Sequence, residues 1–254
     1  MIALRRDGDL AIITLNRPEA LNALSFEIIR AIGAAIDEAG GWDIRALIFT
    51  GAGEKAFCAG ADIKELTGRS LMEERQGAEL GQAVFAKLDS FKAPSIAAIN
   101  GYAFGGGLEL AMACTFRVAT VRAKMGLPEI KLGLIPGYGG TQRLPRLVGE
   151  ARAMEMILTG RTVEAEEARA IGLIHRIADG NALAAAQAMA AEFTCYGLPA
   201  LSFARAAVQR ALSTPLQEGL RIEADLSTLA FRTEDATEGL AAFVARRKPQ
   251  FRDR

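Results

Sequence analysis

Histidine occurs once in this chain of 254 residues, tryptophan once and cysteine three times, and only 6% of the residues are aromatic. The lone His175 and the scattered Cys58, Cys114 and Cys195 form no Cys/His cluster, so a zinc site of ordinary composition lacks its ligands and no metal is expected. Ser-His or Cys-His hydrolysis would rest on His175 alone, within Gly172-Leu173-Ile174-His175-Arg176-Ile177, which reads as a short late strand. With no C-x-x-C pair and too few cysteines for a disulfide framework, the expected compartment is reducing, the cytoplasm.

An excess of charge of one sign is missing too. Thirty Lys and Arg balance thirty Asp and Glu, which removes the global field that draws proteins to nucleic acid or anionic membranes. Neither partner is expected, and an anionic ligand must be met locally. The longest charge-free stretch, 93–108, is broken by Pro94, Asn100 and four glycines, whereas a spanning helix needs about 20 mainly apolar residues. The opening Met1-Ile2-Ala3-Leu4-Arg5-Arg6-Asp7 lacks the apolar region of a signal peptide, and Asp7 and Asp9 argue against a transit peptide. No G-x-x-x-x-G-K-[ST] loop, no Tyr-x-x-x-Lys pair and no suitably spaced ribose-binding acid supports a nucleotide triphosphatase or a dinucleotide enzyme.

What is present is an apolar chain, 50% hydrophobic and 24% charged, long enough for a substantial core. Short strands flank Asp7-Gly8-Asp9, a hairpin signal, and Ser25 caps a helix whose Ile28, Ile32 and Ile36 recur at helical spacing before Gly40-Gly41. Buried strands are expected at 46–50, 95–99 and 116–120, an amphipathic stretch at 70–91 and a helix at 108–114. The repeated strand, glycine turn and helix is an α/β pattern whose turns carry backbone to a ligand-binding sheet end. From about residue 180 strands vanish and helices take over, separated near Gly197-Leu198-Pro199 and Ser213-Thr214-Pro215. The reading is a core of residues 1–194 and a helical region of residues 195–254, whose apolar faces must bury against the core or another subunit.

Gly105-Gly106-Gly107, between a strand and a helix, converges free N–H groups and a helix dipole on one small volume, although a tight turn alone could also demand glycine. Glu109 follows in the first helical turn among Leu108, Leu110 and Ala111, and twenty residues on Glu129 stands after Pro128 at another helix start. Either acid alone could be a capping charge. Two carboxylates in apolar surroundings beside an anion-stabilising turn are the parts needed for proton transfer next to a carbonyl. Phe57-Cys58-Ala59-Gly60-Ala61-Asp62 leaves further backbone N–H groups unshielded and could supply the other half of an oxyanion hole, and Cys58 reads as packing.

Those segments, with Pro128-Glu129-Ile130-Lys131-Leu132-Gly133-Leu134-Ile135-Pro136-Gly137 and Gly139-Gly140-Thr141-Gln142-Arg143-Leu144, closely resemble the crotonase superfamily, the enoyl-CoA hydratase/isomerase family. The resemblance extends to Thr159-Gly160-Arg161 and to Glu238-Gly239-Leu240-Ala241-Ala242-Phe243. It implies an α/β crotonase-type ββα superhelix with two nearly perpendicular sheets, a C-terminal helical trimerisation region, and a homotrimer or homohexamer. It implies that the backbone N–H groups of Ala61 and Gly106 hold the thioester oxygen of an acyl-CoA. Leu24, Ala59, Asp62, Ile63 and Lys64 then line the coenzyme A path, Lys64 approaches a phosphate, and Tyr138 shapes the acyl end unless it is a surface turn aromatic. Glu109 and Glu129 together orient a water, and Glu129 delivers a proton to the α-carbon. Coenzyme A arrives with the substrate, so no separate cofactor is expected. Arg246 or Lys248 reaches a phosphate in a neighbouring subunit, or else belongs to a solvated basic tail. The expected activity is hydration of a trans-2-enoyl-CoA. The alternatives are isomerisation, hydration of a branched or dicarboxylic enoyl-CoA, or acyl-CoA binding without catalysis.

Overall fold

The computed structural model describes residues 1–254. In chain order the elements are β1 (Ile2–Asp7), β2 (Leu10–Leu15), α1 (Phe26–Gly40), β3 (Ala46–Gly51), β4 (Ala56–Cys58), α2 (Leu71–Ala86), β5 (Ser95–Ile99), β6 (Tyr102–Phe104) and α3 (Gly106–Ala113). There follow β7 (Phe116–Thr120), β8 (Lys124–Gly126), α4 (Gly140–Val148), α5 (Glu150–Thr159), β9 (Val163–Glu164), α6 (Ala165–Ala170), β10 (Arg176–Ala178), α7 (Ala182–Ala191), α8 (Leu198–Arg210), α9 (Leu216–Phe231) and α10 (Glu234–Val244).

Six strands form one sheet in the order β1-β2-β3-β5-β7-β10, parallel except for the β1/β2 hairpin. Four short strands form a second sheet in the order β4-β6-β8-β9. The chain alternates between them: β3, β5 and β7 of the large sheet each lead into β4, β6 and β8 of the small one before a helix follows. This is the repeating ββα turn, and it brings the segments after β4, β6 and β8 side by side.

Strand residues point alternately to opposite faces, and here both faces are covered. Ile13, Leu47, Phe49, Ala97 and Ile99 pack with Ile28, Ile29, Ile32 and Ile36 of α1, and Ile12, Ile48, Ile96, Ala98 and Val118 pack with Ala182, Ala186 and Met189 of α7. That is why β3 and β5 read as unbroken apolar runs rather than alternating ones. Ser25 caps α1 through the Ile28 N–H, as expected, and Ser70 with Glu73 forms a capping box at the start of α2.

Two boundaries differ from the sequence reading: the late strand expected over 172–177 is β10, which begins only at Arg176 and leaves His175 outside it, and α3 begins at Gly106 rather than at residue 108. Gly105, at φ 50° and ψ −127°, sits where a type II′ turn puts its first central residue, a conformation open to glycine, so Gly106 and Gly107 already belong to the first helical turn. Gly107 lies against β4 so closely that a Cβ there would stand 2.2 Å from the carbonyl oxygen of Cys58.

Helices α8 and α9 bury no residue, and Leu216, Leu220, Leu229, Phe231, Leu240, Phe243 and Val244 of α9 and α10 are exposed. These helices are tied to the core by polar links. The Arg45 guanidinium donates to the carbonyls of Thr194 and Tyr196 and pairs with Asp253, and Arg205 donates to the carbonyls of Ala93 and Phe91. No helix is long and apolar enough to cross a membrane.

The glycine contacts give a contrast that denaturant unfolding can measure. Gly107→Ala must push backbone against backbone and is expected to cost about 3 kcal/mol or more. Gly219→Ala, in α9 and in ordinary contact only with the Thr214 hydroxyl at 3.4 Å, is expected to stabilise by about 0.5–1 kcal/mol through helix propensity.

Candidate active site

The first donor comes from the loop after β4. Residues 21–24 run beside it as a short parallel ladder, in which the Ala59 N–H donates to Leu21 O (3.0 Å), the Leu24 N–H to Gly60 O (2.8 Å) and the Asp62 N–H to Leu24 O (2.8 Å). The Ala61 N–H, between them, has no carbonyl partner. The second donor comes from the loop after β6. Gly106 is the first residue of α3, so its N–H precedes the intrahelical ladder and lies at the positive end of the helix. The two loops touch: a Cβ on Gly60 would stand 3.1 Å from Phe104 O and 3.8 Å from the Gly105 Cα.

Glu109, one turn into α3, is 1% exposed. Its Oε1 accepts from the backbone N–H groups of Tyr138 (2.8 Å) and Gly140 (2.7 Å), at the start of α4, so those bonds leave Oε2 free. Burial pushes this carboxyl up to about 7, opposed by the Gly140 amide and reinforced by the Glu129 charge. Glu129 opens the 3-10 turn Glu129–Leu132 after Pro128, and burial raises its carboxyl too. Its Oε2 is buried without a hydrogen-bond partner, and a Cβ on Gly105 would stand 2.9 Å from its Oε1. A buried, unpartnered carboxylate oxygen is costly and calls for an explanation. The same carboxylate lies, through Oε1, against the turn that presents the Gly106 N–H.

Tyr138 is 8% exposed, which rules out the surface-aromatic alternative. Its ring fills a notch in α2, where a Cβ on Gly81 would stand 2.2 Å from Cδ1, and its other edge faces Gly106, where a Cβ would stand 3.0 Å from Cδ2. Phe85 meets it edge-on at 5.8 Å between centroids, and Arg143 donates to the Tyr138 carbonyl. The ring is held against the second donor by the segment that holds Glu109.

The remaining sequence candidates divide. Leu24 lies beside Gly106, its Cδ1 3.2 Å from where a Cβ would be, and it is buried. Ala59 anchors the ladder through its N–H. The Asp62 carboxylate is committed to structure: it pairs with Arg17 at 2.8 Å, which holds it below the usual carboxylate range, and it caps the Lys64 N–H. Ile63 and Lys64 stand exposed on the following 3-10 turn. Arg246 and Lys248 are exposed beyond α10, and the neighbouring Arg247 is bound to Glu238. His175 lies outside the site: its Nδ1 accepts from the Arg117 N–H (3.2 Å), and partial desolvation with the Arg117 charge pushes it down to about 4. Cys58 is buried with its thiol pushed up to about 12, as packing requires. No group of three or more His, Cys, Asp and Glu side chains is arranged to hold a metal ion.

Sequence reasoning missed Asn22, Arg17 and Gly81. Only Gly81 left a trace, as a glycine inside a helical pattern.

The buried charge of Glu109 has a pH signature. The unfolded carboxyl titrates near 4.5 and the folded one near 7, so the folded state binds the extra proton in between. Stability from this group is present below about 4.5 and lost as pH rises through about 7. Glu109→Gln keeps the Oε1 acceptor and removes the charge. Relative to the parent, it is expected to gain on the order of 3 kcal/mol between about pH 5 and pH 8 in denaturant unfolding. Equal effects at both pH values would contradict this account.

Residues 5–254 match the model of the family described as enoyl-CoA hydratase/isomerase. A Mycobacterium tuberculosis protein named probable enoyl-CoA hydratase is 46% identical, over 100% of this chain and 98% of its own. The crotonyl-CoA hydratase of Syntrophomonas wolfei is 41% identical over 98% and 97%, respectively. The crystal structure of an enoyl-CoA hydratase from Bacillus anthracis is 37% identical, with a TM-score of 0.95 over 100% of this chain and 99% of that one. Two-sheet ββα architecture, sequence identity along the whole chain and the family model agree: this chain is a member of the enoyl-CoA hydratase/isomerase family.

Proposed function

We propose that this protein adds water reversibly across the double bond of a trans-2-enoyl-CoA, and that Ala61, Gly106, Glu109 and Glu129 carry the reaction. The observation behind this reading is the meeting of a buried carboxyl group, Glu109, and a half-buried one, Glu129, with two unshared backbone N–H groups at one junction of loops.

The thioester oxygen accepts from Ala61 and Gly106. In the transition state it gains charge, and each preorganised donor contributes about 2.7–4 kcal/mol there by analogy with single-donor removals. Glu109, oriented through Oε1, and the unpartnered Oε2 of Glu129 hold one water between them. The water oxygen bonds to the β-carbon while the π electrons of the double bond move onto the thioester as an enolate. The proton lost by the water passes to the glutamate pair, and Glu129 gives a proton to the α-carbon. Net addition is one hydroxyl and one hydrogen, with the pair restored. A pair in which burial, reinforced by the charge of Glu129, raises Glu109 keeps a proton available near neutral pH, as such transfer requires.

Coenzyme A, part of the substrate, runs past Leu24, Ala59, Asp62, Ile63 and Lys64, with Lys64 toward a phosphate. Arg246 or Lys248 of a second subunit meets another phosphate in a homotrimer or homohexamer, a reading supported by the exposed apolar residues of α9 and α10. A cytoplasmic location is supported by three free cysteines. Tyr138 closes the acyl end, which favours short chains.

Mass spectrometry of a panel of enoyl-CoA thioesters tests the reading. The parent protein is expected to add one water, and Glu129→Gln to lose about 10²–10⁴-fold in kcat with little change in substrate Kd. Comparable kcat in the two would remove Glu129 from its role. Tyr138→Ala opens room for the chain. At about 0.8 kcal/mol per methylene, two more carbons are expected to shift relative kcat/KM about tenfold toward hexenoyl-CoA over crotonyl-CoA. An unchanged ratio would place the ring outside the acyl path.

A further inference from the structure

Leu21 and Asn22 are consecutive non-glycine residues in left-handed backbone, at φ 52° and 58°. Such conformations persist only where the surroundings over-determine them, and they cluster at functional sites. These two open the ladder that flanks the Ala61 N–H: Leu21 O takes the Ala59 amide and Leu24 takes both of its bonds from the loop. Asn22 itself is 2% exposed and fully bonded. Its Oδ1 accepts from the Arg17 N–H (2.9 Å), and its Nδ2 donates to Ala52 O (3.0 Å) and Ala56 O (2.8 Å).

Ala56 O is shared. It also accepts from Nδ2 of Asn100 (3.3 Å), whose remaining bonds run to Gly53 O (2.8 Å) and from the Gly51 N–H (3.2 Å). Asn100 opens the loop that leads through β6 to Gly105 and Gly106. Thus one carbonyl at the start of β4 is the common anchor for both segments, the one that aligns Ala61 and the one that delivers Gly106.

We propose that Asn22 is a positioning residue for the oxyanion hole: its buried amide, sharing Ala56 O with Asn100, sets where the Ala61 N–H stands relative to the Gly106 N–H. This rests on the reading of those two N–H groups as the thioester oxygen's donors. Asn22 acts on backbone, through the 21–24 ladder and the shared Ala56 carbonyl. A misplacement of one donor by a fraction of an ångström lowers transition-state stabilisation more than ground-state binding.

The test uses the full-length protein and crotonyl-CoA. Isotope-edited infrared spectroscopy reads the thioester carbonyl stretch of bound substrate, which falls in frequency as hydrogen bonds polarise it. Asn22→Gly accepts the left-handed backbone but removes the clamp, and Asn22→Asp keeps the shape and the Arg17 acceptor but removes the donors. In either variant kcat is expected to fall about 10- to 100-fold, less than or comparable to removing an oxyanion donor, with Kd within about threefold and the carbonyl shift reduced. Ile36→Val, a core truncation in α1 outside the site, serves as the control for lost stability and is expected to leave the carbonyl shift and kcat unchanged. A parent-like carbonyl shift and kcat in whichever Asn22 variant folds would overturn the proposal, as would a control that loses both. If the carbonyl of substrate bound to the parent protein is itself unshifted, the oxyanion reading of Ala61 and Gly106 fails instead.

Discussion

The backbone contact between the loop after β4 and the start of α3 is the constraint from which the site follows. Gly107 stands so near the Cys58 carbonyl that any side chain would collide with it, and Gly60 makes a looser but still tight approach to Phe104. Strand β4 pairs with β6 just before this point, so two segments far apart in sequence leave the small sheet side by side. Hard-sphere contact then sets how closely the two segments can approach. In the proposed reaction, donors arranged in this way need little reorganisation when charge develops between them.

Around that contact the structure concentrates burial and polarity together. Glu109 is almost fully enclosed, yet two amides from the 138–140 segment reach one of its oxygens. The same segment places the Tyr138 ring against Gly106 and into the notch left by Gly81. Helix α2, the α4 start and the α3 start therefore share one junction, and a change in any of them moves the acid, the ring and the donor as a group. Burial raises both carboxyl groups, that of Glu109 to about 7.

Periodicity and turn chemistry carried much of the fold. The Ser25 cap, the isoleucine stripe of α1, the β1/β2 hairpin and the breaks before α8 and α9 all lie where local signals put them. Local signals failed where long-range packing decides: the first turn of α3 was hidden inside a glycine run that also reads as loop. Asn22 is of a type that readily enters left-handed backbone, but Leu21 carried no such mark.

The sequence by itself determined the chemistry available: two acids in apolar settings, two glycine-bearing loops, and no cluster of metal-ligating residues, because residue type and neighbour polarity are local properties. Motif resemblance went further and assigned the family. Only the tertiary structure decided which groups meet. That Asp62 is bound by Arg17, that Tyr138 is buried rather than on the surface, and that one carbonyl of Ala56 anchors both loops depend on contacts between residues tens of positions apart. Such contacts are set by how the two sheets stack and by which atoms exclude one another, and no window along the chain contains that information.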